Sequence, residues 1–221
     1  MPFIYVVRHG ETDANVKEKV NDKNVITPLN DLGKAQATKT GKYLKKFRCN
    51  SGCKIYASPS IRTKETAELI AKQLKVKNIT YDDLLIEIDQ GRLSGTTDGD
   101  KTRKKYDKLV SKMPKDPIEK ELAYPELDKI LEKDFGREPT IQIKKRVREF
   151  FDSLSNEDVI VVTHNGIIQT ILRVIFGILS AADVKGDLSN GKNCTITAIL
   201  NENSKYTLVT LPNTLHLSKS I

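Results

Sequence analysis

Two short stretches of this 221-residue chain place a histidine directly after a strand-like apolar run. "YVVRHGETDAN" covers residues 5–15 and "VIVVTHNG" covers residues 159–166, and in both a glycine follows the histidine within two positions. The chain has three histidines, so His9 and His164 share one local setting. A short apolar run that breaks into polar residues reads as a buried strand entering a loop. In open α/β sheets, ligands collect beyond the carboxyl ends of such strands. The surrounding residue types suit an anion. Arg8 adjoins His9, and Arg62 falls in the first turn of a helix opened by Ser58-Pro59, where unpaired backbone N–H groups attract negative charge. Guanidinium groups grip phosphoryl oxygens as a planar fork. Asn15 and Asn165 add neutral amides, and the apolar helix after His164 would turn its N-terminus toward the same crevice. Alone, Arg62 is an ordinary helix-surface arginine. Together these residues point to stabilisation of charge on a transferring phosphoryl group.

Strands and helices must alternate to bring such residues to one edge, and the hydrophobic pattern says that they do. Phe3 to Val7, Lys54 to Ala57 and Val159 to Thr163 are short β-rich runs, and Leu32 to Phe47 reads as helix. Ser58-Pro59 supplies an N-cap and a first-turn proline for a helix with Ala67, Ile70, Ala71 and Leu74 on one face. A second stripe, Ile143, Val147, Phe150, Phe151 and Leu154, directly precedes the 159–163 strand. Cys194 to Leu200 and Tyr206 to Leu211 read as strands joined by the turn-rich Asn201 to Ser204. This order predicts an α/β fold, a three-layer α/β/α sandwich with a mostly parallel central sheet. The segment from Gly91 to Pro139 breaks the order. It is rich in charge, glycine and proline, so it reads as an inserted helical cap at about 91–139 in a single domain covering residues 1–221. Within it, "KTRKKYDKLVSKMPK" has Tyr106, Leu109, Val110 and Met113 at helical spacing. The lysines are then the wet face of an amphipathic helix rather than a nucleic-acid patch.

Composition narrows the partner without choosing it. The formal charge of +8 and pI near 9.2 favour an anionic partner, whether phosphate ester, nucleic acid or membrane surface. No apolar run reaches membrane-spanning length and no signal-peptide pattern opens the chain, so neither anchor nor leader is expected and the cytoplasm is the expected location. Cys49, Cys53 and Cys194 lack a zinc-site pattern and are expected as free thiols in a reducing compartment.

Read in order, "RHGET" at 8–12, "TPLNDLGKAQA" at 27–37, "ASPSIRTKETAELI" at 57–70, "IEIDQG" at 86–91, "VVTHNG" at 161–166 and the closing "NCTITAIL" and "NTLHL" resemble the histidine phosphatase superfamily, phosphoglycerate-mutase-like branch. The resemblance runs the length of the chain and leaves only the cap unmatched. It implies His9 as the nucleophile that becomes a phosphohistidine, with a backbone carbonyl holding its other ring nitrogen as N–H. It implies Arg8, Arg62 and His164 on the phosphoryl oxygens, with Asn15 and Asn165 as further substrate contacts. Glu87 matches the family's acid, which protonates the leaving oxygen and then activates water. Asp89 points the same way on an extended chain and is the reserve candidate. The mechanism implied needs no metal and no cofactor.

The departures shape the functional reading. Asn30 stands after "PL" where Thr or Ser is usual, Thr163 stands where Ser is common, and "GRLSG" replaces the frequent Gly-x-Trp-Glu-Gly. Cofactor-dependent mutases usually follow the acid with "RHYG" and carry an arginine-rich clamp; this chain has "IDQG" and no clear clamp. A phosphomonoester hydrolase of small anionic metabolites is therefore expected ahead of a cofactor-dependent phosphoglycerate mutase. A non-catalytic adaptor or basic nucleic-acid binder on the same fold is the alternative from another class. The intact set of His9, Arg8, Arg62, Glu87 and His164 speaks against the adaptor, and the absence of interleaved aromatics and of a recognisable nucleic-acid module speaks against the binder. The expected partner is a small phosphorylated substrate, with no nucleic acid and no membrane, and the chain is expected as a monomer or homodimer.

Overall fold

The computed structural model describes residues 1–47, 52–177 and 192–218. Strand β1 (Phe3–Arg8) leads through the one-turn α1 (Asp13–Val16) to α2 (Asp31–Leu44). Then come β2 (Lys54–Ala57), α3 (Ile61–Leu74) and β3 (Ile79–Tyr81). Single 3-10 turns at 83–85 and 91–93 precede α4 (Lys101–Val110), α5 (Pro117–Phe135) and α6 (Thr140–Asp152). The chain continues through β4 (Val159–Thr163), α7 (Asn165–Phe176), β5 (Ile196–Glu202), β6 (Lys205–Asn213) and α8 (Leu215–Ser218).

The strands form one sheet in the order β3-β2-β4-β1-β5-β6. The pairs β3-β2, β2-β4 and β4-β1 are parallel, and β1-β5 and β5-β6 are antiparallel. The expected α/β architecture with a mostly parallel sheet is thus the one formed. Parallel strands covered on both faces read as unbroken apolar runs, and every residue of β4 is buried. Alternate side chains then feed two separate cores. Ile4, Val6, Val159 and Val161 pack with Ile143, Val147, Phe150 and Phe151 of α6 and with Ile167, Ile168 and Ile171 of α7. On the opposite face, Val7, Ile55, Ala57, Ile160 and Val162 pack with Leu44 of α2 and Ala67, Ile70 and Leu74 of α3. Each of these valine, leucine, isoleucine and phenylalanine side chains contributes about 1.5–3 kcal/mol by leaving water.

The segment 91–139 carries its own small cluster. Leu93, Leu127, Leu131 and Phe135 are buried together, with Tyr106, Leu109 and Met113 of the α4 region half-buried against them. The lysines at 101, 104, 105, 108 and 112 are exposed, with Lys105 paired to Asp134 at 3.0 Å. The apolar spacing along α4 therefore describes its packed side. The cysteine expectation needs correction: Cys194 is free and buried, but Cys53 is disulfide-bonded, and Cys49 lies outside the described residues. The argument from free thiols to a reducing compartment loses its premise. Among the described residues no helix is long and apolar enough to cross a membrane.

Candidate active site

Three neighbouring parallel strands deliver the site. In the β1-β4 register Arg8 faces Thr163, so the next residues, His9 and His164, leave the sheet side by side, and the His9 amide donates to the Thr163 carbonyl at 3.0 Å. In the β2-β4 register Ala57 faces Val162, which carries Ser58 and the start of α3 to the same edge. The His9 and His164 rings lie edge-on, 5.4 Å between centroids. The third histidine, His216, is instead buried against α2, 2.9 Å from the Thr40 hydroxyl.

The chain around His9 fixes its chemistry. Nδ1 lies 2.7 Å from the carbonyl oxygen of Gly10. A carbonyl only accepts, so Nδ1 carries the hydrogen and Nε2 keeps its lone pair. Gly10 is pinned in turn: its amide donates to Thr66 Oγ1 at 3.0 Å, and Asn193 Nδ2 donates to the carbonyls of His9 and Gly10 at 3.1 and 3.3 Å. A Cβ on Gly10 would lie 2.5 Å from the Gly33 carbonyl oxygen, so this turn tolerates no side chain against the start of α2. His164 Nε2 lies 2.9 Å from Ser58 Oγ, while its Nδ1 is buried without a hydrogen-bond partner among the described residues.

Both histidines are held neutral. Burial pushes His9 well below the ordinary value of 6.5, and the Arg8 and Arg62 charges push it further. Burial does the same for His164, followed by Arg62, His9 and Arg8. The folded state therefore binds these protons less readily than the unfolded chain does. Stability from this source is complete above pH 6.5 and is lost as pH falls toward the depressed folded values. Thermal unfolding followed by circular dichroism between pH 7 and 5 is expected to show a falling Tm. His164→Asn is expected to flatten that slope, and an unchanged slope would contradict the neutral assignment.

The arginines are buried cations beside buried imidazoles. Burial lowers Arg8 to about 10, opposed by the attraction of Glu87. Arg62 is fully buried and is lowered by burial, opposed by Glu87 and Asp22. Its Nη1 donates to Val25 O at 3.0 Å, and its Nη2 to Asn21 O and Asp22 O at 3.2 and 2.9 Å. Its Nε is buried without a partner among the described residues, so the Nε hydrogen and one Nη1 hydrogen are left for a ligand.

Glu87 follows the first 3-10 turn, in a segment held by Thr163 Oγ1 on Leu85 O at 2.8 Å and Arg146 Nη1 on Leu84 O at 2.8 Å. Its carboxylate accepts from the amides of Ile88 at 2.9 Å and Gly166 at 3.2 Å. The second of these is an unpaired first-turn donor of α7. Burial raises Glu87 above the ordinary carboxyl value, and this outweighs the two amides, Arg62 and Arg8. Asp89 ends up shifted the other way. Burial would raise it, but the Lys23 ammonium and the Gly91 amide prevail and hold it low, with Lys23 Nζ 2.9 Å from Oδ2.

Arg8, Asn15 and Asn165 line a cavity of about 760 Å³, together with Glu11, Lys19 and Arg103 of α4. His9, Arg62, Glu87 and His164 are not on its wall. Asn15 Oδ1 accepts from Thr12 and from Asn193 Nδ2, and Asn165 Oδ1 is buried without a partner among the described residues. Sequence reasoning missed the supporting roles of Ser58, Thr66 and Asn193. Each acts across more than fifty residues of chain, and only their presence inside otherwise recognisable motifs signalled them.

Comparison with known proteins identifies the family of the chain. The chain is 30% identical over 177 residues to the uncharacterized phosphatase PhoE of Bacillus subtilis, covering 80% of this chain and 79% of that one. It is 37% identical over 90 residues to the probable phosphoglycerate mutase GpmB of Salmonella paratyphi C, covering 41% of this chain and 40% of that one. Its fold overlays that of phosphoserine phosphatase from Entamoeba histolytica, solved with 3-phosphoglyceric acid, with a TM-score of 0.71 at 23% identity, covering 98% of this chain and all of that one. The family-level match, to the histidine phosphatase superfamily (branch 1), extends over residues 4–214. The chain belongs to the histidine phosphatase superfamily (branch 1), an enzyme of the phosphatase kind.

Proposed function

We propose that this enzyme hydrolyses phosphomonoesters of small anionic metabolites through a phosphohistidine at His9. The carrying observation is the His9 ring: Nδ1–H is donated to Gly10 O, which leaves a neutral Nε2 lone pair beside two buried arginines. In the first step Nε2 attacks phosphorus, an N–P bond forms and the ester P–O bond breaks. Arg8, Arg62 and His164 hold the phosphoryl oxygens, and a dianion there would draw a proton onto His164. Asn15 and Asn165 line the cavity that Arg8 also borders. Glu87, whose carboxyl burial shifts toward its protonated form, gives its proton to the leaving oxygen. In the second step the Glu87 carboxylate takes a proton from water, whose oxygen attacks phosphorus as the P–N bond breaks and phosphate departs. The opposite shift at Asp89, which Lys23 holds ionised, supports Glu87 as the acid.

The segment 91–139 is the substrate-choosing cap in this reading. Arg103 of α4 shares the cavity wall with Arg8 and Asn15, which supports a cap that meets the non-phosphoryl part of the substrate. A mutase is the second reading, favoured by the GpmB match over 90 residues. The deciding experiment is phosphate release over a panel of sugar phosphates, nucleotides, phosphoamino acids and phosphoglycerates. Transfer between phosphoglycerate positions without net phosphate release would select the mutase.

The chemistry is proposed to need no metal, because the arginines supply the positive charge. Among the described residues no three His, Cys, Asp or Glu side chains cluster as ligands. EDTA is expected to leave the rate unchanged and orthovanadate to inhibit. Loss of activity on chelation that zinc or magnesium restores would overturn this.

A further inference from the structure

We infer that Asp22 is a positioning residue that locks the phosphate-gripping Arg62 to the segment behind the acid Glu87; this rests on the phosphatase reading above. Asp22 lies in the loop between α1 and α2 and is 1% exposed. Its side chain and its main chain reach in different directions. The carbonyl oxygen accepts from Arg62 Nη2 at 2.9 Å, flanked by those of Asn21 and Val25 on the same guanidinium. The carboxylate faces the residues that follow Glu87. Oδ2 accepts from the Gln90 amide at 3.0 Å and Oδ1 from Ser94 Oγ at 2.7 Å. Asn24 completes the set, its amide 2.9 Å from Oδ1 and its Nδ2 3.4 Å from Oδ2.

Neighbouring contacts run across the same seam. Asn24 Nδ2 also donates to Asp89 Oδ1 at 3.0 Å, and Lys23 pairs with Asp89 Oδ2. The Val20 amide donates to Thr96 O, and Gly95 N donates to Val20 O, both at 2.9 Å. Residues 20–24 are therefore stitched to 89–96 on one side and to Arg62 on the other.

The carboxylate is specific to this task. Every group facing it is a donor, so only an acceptor-only side chain satisfies the set. In Asp22→Asn, one –NH2 must face a backbone N–H whichever way the amide turns, that of Gln90 or that of Asn24. A buried carboxylate satisfied by neutral donors is costly for packing alone. It is explained by what it aligns: an arginine with two hydrogens left for phosphate, and a proton donor that depends on staying dry.

The test compares wild type, Asp22→Asn and a destabilised control remote from the site, Leu44→Ala, a core position of α2. Orthovanadate affinity by calorimetry reads Arg62, and the pH profile of kcat on an alkyl phosphate reads Glu87. Asp22→Asn is expected to lower kcat/KM by up to about a hundredfold, the scale of a misplacement near an ångström. It should weaken vanadate and move the alkaline limb to lower pH as water reaches Glu87. Leu44→Ala should lower Tm and move neither readout. If Asp22→Asn does not fold, Ser94→Ala removes one donor and should shift both readouts by less in the same direction. Vanadate affinity and alkaline limb unchanged in the folded variant would overturn the inference. If wild type binds vanadate but releases no phosphate from the panel, the hydrolase reading fails, while the vanadate comparison still decides the link from Asp22 to Arg62. Wild type that binds no vanadate overturns both.

Discussion

Phosphate release by the His9→Ala protein is expected to fall by about four to six orders of magnitude, the loss seen when a covalent nucleophile is removed from a working set. The argument is one of geometry and protonation. His9 is the histidine whose Nδ1 is fixed by a carbonyl, so its Nε2 is nucleophilic without first losing a proton. The depressed His9 value adds that kcat/KM should show no acid limb near pH 6.5, where an ordinary histidine nucleophile would lose activity. Rapid quench with labelled substrate should trap an acid-labile, base-stable phosphoprotein in wild type and none in the variant. Orthovanadate binding should persist, because Arg8, Arg62 and His164 remain. An acid-stable phosphoprotein would redirect attention to Ser58, the buried serine 2.9 Å from His164 Nε2.

The second large effect is expected at Glu87, and it depends on the leaving group. Glu87→Gln should slow alkyl phosphates by about a hundredfold or more, the scale of general acid catalysis. Aryl phosphates, whose leaving groups need little protonation, should slow much less in the first step. The wild-type carboxyl titrates above its usual range because burial disfavours its charged form. Activity that needs the protonated acid is therefore complete below the raised value and lost as pH rises through it, and the alkaline limb should vanish in Glu87→Gln. Equal slowing of alkyl and aryl substrates, with the limb retained, would move the role to Asp89 and make Asp89→Asn the informative variant. The ionised state held by Lys23 argues that Asp89→Asn keeps most of its activity.

Much of this fold was legible because its signals are local. Strand β1 was expected over Phe3 to Val7 and spans Phe3–Arg8. Helix α3 is expected with Ser58 as its N-cap and Pro59 as its first residue, but Ser60 is the N-cap and the helix begins at Ile61, because Ser58 is drawn instead to His164 Nε2. His9 and His164 were conspicuous because each follows an apolar run in a chain with few histidines. Strand β3, by contrast, is three residues with one half-buried and two exposed side chains, so no alternation marks it. It exists because β2 offers it a parallel edge. The cysteine expectation failed at Cys53 because pairing depends on where backbones approach, which spacing does not state.

By itself, then, the sequence determined the strand-histidine units, the helices that follow them and the basic residues beside them, since each depends on side chains a few positions apart. Tertiary structure decided how they meet. The register that sets His9 beside His164 joins residues 155 positions apart through strands that are neighbours only in space. The Gly166 amide on Glu87, the Thr66 hydroxyl on Gly10 and the bridge from Asp22 to Arg62, Gln90 and Ser94 are likewise contacts between distant segments. The physical reason is that a side chain's type states what it can bond, while the crossovers of the sheet decide which partner arrives. The neutral imidazoles and the raised carboxyl follow from the same cause, because burial comes from the packed layers and not from the neighbours in the chain.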